Sequence, residues 1–424
     1  MGFEELNLHG DVLKALEKKG FTEPTAIQKS CIPKIKEGRD VVGQSLTGSG
    51  KTAAFGLPII EKIHPGKGVQ ALILTPTREL ASQVKDTLIT FSAFKRISIT
   101  AVYGGVGMMP QIDALKRADI IVATPGRMLD HLRRNTVKLD KVSFLVIDEA
   151  DKMFEMGFIE DVEKIIGYTP RERQTLLFSA TISTGINHLI KIYLKEPCMI
   201  KEQIHVDKSL LKQVYYEIDK KEKFSLLVHF LKNKTSGLAI VFCATRREVD
   251  IISKNLKQQG INSMAVHGGL SQNKRTYAVD AIKKEDIQVL VATDVAARGL
   301  DIKHISHIYN YDSPKNSSEY THRIGRTARA GERGEAITFL TEKDHDNFRN
   351  VISDRSLVIQ KQELPKFEMV RFSRETHGRE DSPKRGEFHR RDNSSNRPKR
   401  FGSRDRNDRR SNSRFGHSRP RYNA

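Results

Sequence analysis

The chain has 424 residues, 38% of them hydrophobic, and its 72 Lys and Arg outnumber 52 Asp and Glu to give a formal net charge of +20. That length exceeds what one core holds and predicts two domains with added segments, while the charge points to a polyanionic partner. The apolar runs, such as Phe144–Ile147, are strand-length, which argues against a membrane span; the early Glu4 and Glu5 argue against a secretory signal. Three cysteines, Cys31, Cys198 and Cys243, have neither zinc-site nor disulfide spacing, so a reduced, cytoplasmic location is expected.

From residue 38 short β-branched runs alternate with helix-period stretches. Strands are predicted at Asp40–Gln44, Ala71–Thr75, Ile97–Tyr103, Ile120–Ala123, Phe144–Ile147 and Thr175–Phe178. They are apolar throughout, as in parallel strands covered on both faces by crossover helices. Lys195–Lys212, with Pro197 and weak periodicity, separates this cycle from a second one, and the hinge is placed at 206–212. The second cycle has strands at Gln213–Ile218, Leu238–Cys243, Ser263–Val266, Val289–Ala292, Ile305–Tyr309 and Ala336–Phe339. From Lys366 onward 18 Lys and Arg face 8 Asp and Glu, half the net charge of the whole chain. Such a segment cannot offset its ordering entropy and is predicted to be disordered. Its interleaved Phe372, Phe388, Phe401, Phe415 and Tyr422 suit loose contact with single-stranded nucleic acid. The expected architecture is α/β: a segment at 1–30, parallel-sheet lobes at 31–205 and 213–365, and a basic tail at 366–424.

The strand ending at Gln44 runs into Ser45-Leu46-Thr47-Gly48-Ser49-Gly50-Lys51-Thr52 and then a helix. This pattern is close to a phosphate-binding loop, in which backbone N–H groups and a helix N-terminus face the anion. Lys51 is expected to reach the β- and γ-phosphates and Thr52 to put its hydroxyl on Mg²⁺; Ser45 stands where the first glycine usually stands. The strand Phe144–Ile147 ends in Asp148-Glu149-Ala150-Asp151. An acidic pair at that position suits a Mg²⁺ ligand, Asp148, and a residue that orients the attacking water, Glu149.

In these residues the chain resembles the DEAD-box RNA helicases, whose remaining motifs occur here in order. Gly20-Phe21-Thr22-Glu23-Pro24-Thr25-Ala26-Ile27-Gln28 is similar to the family's adenine-sensing segment, which implies that Phe21 borders the adenine and Gln28 reads its edge. Pro76-Thr77-Arg78-Glu79-Leu80-Ala81, Gly104-Gly105 and Thr124-Pro125-Gly126-Arg127 each follow a predicted strand, so all emerge on one sheet edge. The resemblance implies RNA-backbone contacts there from Thr77, Arg78, Gly105, Thr124 and Arg127, and in the second half from Gln272, Arg275 and Thr293. It also implies that Asp301 holds the ribose of ATP and that Ser179, Thr181 and His322 couple the two sites. In His322-Arg323-Ile324-Gly325-Arg326-Thr327-Ala328-Arg329, Arg326 and Arg329 are three apart, so one helical turn would project both as arginine fingers. The family usually has glycine where Ala328 stands.

The fold thus implied is two RecA-like lobes in tandem. The activity implied is ATP-dependent, RNA-stimulated, local unwinding of short RNA duplexes, with ATP and Mg²⁺ as cofactors and RNA bound without sequence preference. The compact core with a short basic tail resembles the bacterial RhlE-like subgroup. No membrane association is expected, the monomer is the expected state, and partners in ribosome assembly or RNA degradation would fit such an activity. Two rivals are a DNA helicase or translocase of the wider superfamily and a non-enzymatic RNA clamp or annealing protein. The segment around Gln28 argues against the first, and the set Lys51, Asp148, Glu149, Arg326 and Arg329 against the second.

Overall fold

The computed structural model of this protein describes residues 2–45, 48–202, 210–297, 302, 304–328 and 332–374. The expectations for Leu46, Thr47, Asp301, Arg329 and the tail beyond residue 374 lie outside the described residues.

The first lobe is built on β1 (Val41–Gln44), β2 (Ala71–Leu74), β3 (Ile99–Val102), β4 (Ile120–Ala123), β5 (Phe144–Asp148), β6 (Gln174–Ser179) and β7 (Cys198–Lys201). They form one sheet in the order β3-β4-β2-β5-β6-β1-β7, and its neighbouring strands run parallel. Successive side chains point to opposite faces, so the central strands feed two cores. Ile73, Val122 and Val146 pack in one core with the helix Lys51–Lys62, and Leu72, Ile121, Leu145 and Ile147 pack in the other. Both faces of β2, β4, β5 and β6 are dry, which is why these strands read as unbroken apolar runs rather than alternating ones.

The second lobe repeats the plan with β8 (Leu211–Glu217), β9 (Leu238–Phe242), β10 (Ser263–Val266), β11 (Val289–Ala292), β12 (Ile305–Asn310), β13 (Gly334–Leu340) and β14 (Gln360–Lys361). Their order is β10-β11-β9-β12-β13-β8-β14, again parallel. Because each sheet is parallel, every strand's C-terminal end lies on one edge. That edge of the first lobe gathers the loops after β1, β5 and β6, which are neighbours, and separately those after β2, β3 and β4. Among the described residues no helix is long and apolar enough to cross a membrane.

Three boundaries differ from the sequence expectation. β7 lies inside the stretch taken as a connector; it alternates half-buried and exposed residues and adds to the free side of β1. β8 begins at Leu211, so the assigned hinge at 206–212 gives up its last two residues to the second sheet. The tail does not begin at Lys366. Phe367, Val370 and Phe372 pack against the second lobe's core, the Phe372 ring lies 4.7 Å from that of Phe224, and Val370 N–H donates to Ser225 Oγ at 3.1 Å. Ser373 and Asn255 exchange two hydrogen bonds, N–H to Oδ1 at 2.8 Å and Nδ2 to carbonyl at 2.9 Å. Three apolar side chains at irregular spacing suffice to order this segment despite its polar composition.

Candidate nucleotide and RNA site

The phosphate-loop sequence leaves β1 beside β6, and Ser45 N–H donates to Ser179 O at 3.0 Å, so the loop starts tied to its neighbour. Ser45 is fully buried, with its hydroxyl 2.9 Å from that of Ser49. Gly48 and Gly50 have φ of 90° and 93°, a region that disfavours side chains, and a Cβ at Gly50 would collide with the amide of Gln28. Lys51 opens the helix Lys51–Lys62; its side chain is buried and donates to Ser45 O at 3.2 Å, and Thr52 follows half-buried.

The segment before β1 closes over this loop. Thr25 caps the helix Ala26–Lys36, and Gln28 Oε1 accepts from Thr25 N–H at 2.9 Å in a capping box. Gln28 Nε2 donates to Gly50 O at 3.0 Å, and Thr25 Oγ1 donates to Ser49 O at 2.8 Å. Gln28, read from the sequence as facing adenine, therefore has its amide on the loop backbone. Phe21 is 44% exposed and meets Phe91 edge-on at 5.8 Å.

Asp148 ends β5, and Glu149 takes φ 54°, a left-handed conformation that is costly for a non-glycine residue. Both carboxyls are buried. Burial pushes Asp148 up to about 6, against the pull of Lys51 and Lys152. Burial also acts to raise Glu149, but Lys152, Lys51 and Arg326 outweigh it and hold that carboxyl at about 2. Lys152 Nζ lies 2.8 Å from Glu149 Oε1, with both side chains almost fully buried. Sequence reading missed this ion pair; the i, i+3 spacing of Glu149 and Lys152 after the strand was its available signal.

Asp151 gathers the third strand end. Its Oδ2 accepts from Ala180 N–H and Thr181 N–H, each at 3.2 Å, and from Thr181 Oγ1 at 3.4 Å. Ser179 Oγ accepts from Asp151 N–H at 3.1 Å and donates to Thr181 O at 2.7 Å. His322 of the second lobe places Nε2 3.3 Å from the same Asp151 oxygen. Burial would raise Asp151, but the His322 contact and the nearby lysines hold it well below the usual carboxylate range.

The helix bearing His322 runs Ser317–Ile324 and stops there, so Arg326 stands in a turn beyond it, while Arg329 lies outside the described residues. Arg326 is buried and within electrostatic reach of Glu149 across the lobes. Arg323, unassigned from sequence, is the organiser of this region. Its guanidinium bridges Asp294 at 2.6 and 2.7 Å, Glu319 at 2.7 Å and the Asp312 carbonyl at 2.6 Å. It thereby fixes the loop after β11, where Thr293 N–H donates to Val266 O at 3.3 Å, against the helix of His322.

On the other half of the first lobe's edge, Thr77 caps the helix Arg78–Phe91, with Oγ1 accepting from Leu80 N–H at 3.3 Å. The Arg78 guanidinium lies against Gly104 and Gly105; Gly105 has φ 82°, and a Cβ there would collide with it. Thr124 caps the helix Pro125–Arg133, and Arg127 Nη1 donates to Val106 O at 3.1 Å. The second lobe meets this edge through Gln272 and Arg275. Gln272 Nε2 donates to Glu79 Oε1 at 3.1 Å and Arg275 Nη2 lies 2.9 Å from Glu79 Oε2. Here Arg275, read from the sequence as a phosphate contact, pairs with a carboxylate of the other lobe.

The family model DEAD/DEAH box helicase matches residues 25–189, and Helicase conserved C-terminal domain matches residues 222–331. The DEAD-box ATP-dependent RNA helicase CshA of Geobacillus kaustophilus is 46% identical over 345 residues, covering 81% of this chain and 74% of that protein. The chain belongs to the DEAD-box ATP-dependent RNA helicases. The CshA helicase of Bacillus subtilis is 45% identical over 352 residues, covering 82% and 71% of the two chains. Among solved structures, S. cerevisiae Dbp5 bound to RNA and ADP BeF3 superposes with a TM-score of 0.78 at 30% identity, covering 85% of this chain and 95% of that one. A DEAD box protein from Methanococcus jannaschii gives 0.53 at 42% identity, covering 85% and 99%. In this helicase Ala328 has φ 53°, so the alanine that replaces the family's glycine sits in a left-handed conformation glycine adopts without strain.

Proposed function

We propose that this DEAD-box helicase unwinds short RNA duplexes locally by closing its two lobes over ATP and one RNA strand. The carrying observation is that the second lobe meets the acidic strand end of the first: His322 Nε2 lies 3.3 Å from Asp151 Oδ2, and Arg326 is within electrostatic reach of Glu149, where the water-orienting carboxylate is expected. Lys51 draws in the triphosphate, Glu149 orients the attacking water, and Arg326 stabilises charge on the transferring phosphoryl group. The residues suit Mg²⁺: Asp148 Oδ1 is buried without a hydrogen-bond partner among the described residues, and the Thr52 hydroxyl supplies a second hard oxygen donor. When bound, Mg²⁺ would neutralise developing phosphate charge.

Thr77, Arg78, Gly105, Thr124, Arg127 and Thr293 hold the sugar-phosphate chain by backbone contacts that read no sequence. Contact with the 2′-OH sets RNA above DNA. ATP and RNA each favour closure, so each strengthens binding of the other. Asp151, bonded to Thr181 and 3.3 Å from His322 Nε2, supports a coupling role for that cluster. The superposition on an RNA- and nucleotide-bound relative supports a closed arrangement for this chain. Of the subgroups, the short basic tail favours an RhlE-like placement, whereas the relatives matched over four-fifths of the chain are named CshA, and we adopt the latter. A monomer working in the cytoplasm, where ribosomal and messenger RNA and ATP occur together, completes the reading, with ribosome-assembly or RNA-decay proteins as partners.

The test is phosphate release by the full chain with RNA, with matched DNA and with neither. RNA alone is expected to stimulate, and Arg326→Ala is expected to lower the stimulated rate on the order of 10³-fold. Equal turnover with and without RNA would overturn the helicase mechanism, and equal stimulation by DNA would favour the DNA translocase.

A further inference from the structure

Away from the cleft, the second lobe carries a groove of about 560 Å³ between the helices Arg246–Gln258 and Gln272–Lys283. Asp250, Lys254 and Lys257 of the first helix recur at i, i+4 and i+7 and form one wall. Lys274 and Tyr277 of the second form the other, and the floor is Met264 and Ala265 on the outermost strand, β10. Three lysines thus stand over an apolar floor beside a tyrosine that is 66% exposed. The lining carries these three cations against one carboxylate, Asp250, whose Oδ1 lies 2.9 Å from His267 Nε2.

The groove's position selects its occupant. Leu270, at one end, directly follows Gly268-Gly269, and the Arg246 side chain lies over both glycines. His267 Nδ1 accepts from Gly269 N–H at 3.1 Å, so the ring that occupies Asp250 also sets this loop. The helix Gln272–Lys283 therefore has two working faces. Gln272 and Arg275 turn to the first lobe, while Lys274 and Tyr277 turn into the groove. We propose that this groove binds single-stranded RNA running on from the cleft, with Lys254, Lys257 and Lys274 on phosphates and Tyr277 stacked on a base. Cations along a backbone path with an exposed ring suit a flexible polyanion carrying bases. The inference rests on RNA lying along the cleft as proposed above and adds a holding site for the unpaired flank, so that a strand freed by one closure stays attached.

The experiment measures Kd by fluorescence anisotropy for the full chain with a non-hydrolysable ATP analogue. One probe is a short oligouridine that spans the cleft alone; the others are longer by about ten nucleotides on the 5′ or the 3′ side. The wild type is expected to bind one of the longer strands more tightly. Lys254→Gln/Lys257→Gln/Lys274→Gln should remove that gain, about tenfold, and lower the slope of log Kd against log salt by about 2, at about 0.7 for each phosphate no longer neutralised. Tyr277→Ala should reduce the gain without changing the slope, because stacking releases no counterions. The proposal is overturned if the triple variant keeps the full gain. It is equally overturned if the variant keeps the gain but no longer binds a synthetic glutamate-rich peptide carrying one phenylalanine that the wild type binds, which would make the groove a protein-docking site. The short strand separates the two readings: its failure to stimulate ATP turnover in the wild type strikes the helicase mechanism, whereas the ratio of long- to short-strand affinity reports only on the groove.

Discussion

Arg275 and Glu79 belong to different lobes, yet their charged atoms lie 2.9 Å apart and each side chain is only 11% exposed. Gln272 donates to the same carboxylate, so Glu79 is a receptor for two residues of the opposite lobe. The pairing exists only when the lobes meet, and its removal falls on the closed arrangement alone. Removing one member of a desolvated pair leaves the other charge unpaired, which costs more than the pair itself contributes.

Glu79→Gln is therefore expected to weaken ATP-dependent RNA binding about tenfold, within the usual range of about 1–3 kcal/mol for coupling between sites. Each lobe should stay as stable as before. Titration of labelled RNA with and without a non-hydrolysable ATP analogue measures this, and unchanged coupling would remove Glu79 from the closure device. Arg275→Met separates two roles. As a lobe contact it should match Glu79→Gln and show no further loss in the double variant; as a phosphate contact it should also lower the salt slope by about 0.7.

The chemistry of the cleft gives a second pair of outcomes. Lys51→Ala should abolish ATP turnover, because it removes the cation buried against the loop backbone. Wild-type hydrolysis by that variant, measured as phosphate release, would overturn the phosphate-loop assignment. Glu149→Gln should retain ATP and hold RNA in a long-lived complex, since binding survives while water activation fails. The same change strips Lys152 of its partner, so thermal unfolding should show a loss of roughly 2 kcal/mol. Glu149→Gln/Lys152→Met should recover much of it without recovering turnover.

Glu248 offers a pH signature in the second lobe. Burial, and then its hydrogen bond and charge repulsion with Asp312, push its carboxyl up to about 7. A carboxyl raised above its ordinary value contributes stability that is complete below that ordinary value and is lost as pH rises through about 7. Glutamine remains neutral throughout. Glu248→Gln should therefore equal the wild type near about pH 5 and exceed it near about pH 8, by about 1 kcal/mol once solvent screening is allowed for. Melting curves at the two pH values decide it; a difference that does not change with pH would show that Glu248 and Asp312 share no proton.

The strands buried on both faces were legible because Ala71–Leu74, Ile120–Ala123 and Phe144–Ile147 are apolar runs that no other element of a small lobe needs. Their loops were legible because phosphate binding demands Gly48, Gly50 and Lys51 in fixed order. β7 was not, because an edge strand with one wet face, Cys198–Lys201, has only two half-buried residues to announce it. Nor was the Glu79–Arg275 pair, whose partners are almost two hundred residues apart and whose proximity depends on how two lobes meet. Local spacing also carried the helix too far at Arg326, because it ends at Ile324 and Arg326 stands in the turn beyond.

The ordered segment after Lys366 yields a truncation experiment with two different outcomes. Removing residues 375–424 leaves Phe367, Val370 and Phe372 on the second lobe. Removing residues 366–424 uncovers Phe224 and frees Ser225 and Asn255 from their backbone partners. The shorter deletion should leave the melting temperature in place while weakening RNA affinity, more at low salt than at high, because it strips most of the tail's cations. The longer deletion should add a loss of stability of roughly 3 kcal/mol, from partial burial of three apolar side chains together with the missing hydrogen bonds. Equal melting temperatures for the two truncated chains would mean that the segment rests on the lobe without holding it, and equal RNA affinities for full and truncated chains at low salt would remove the tail from RNA binding.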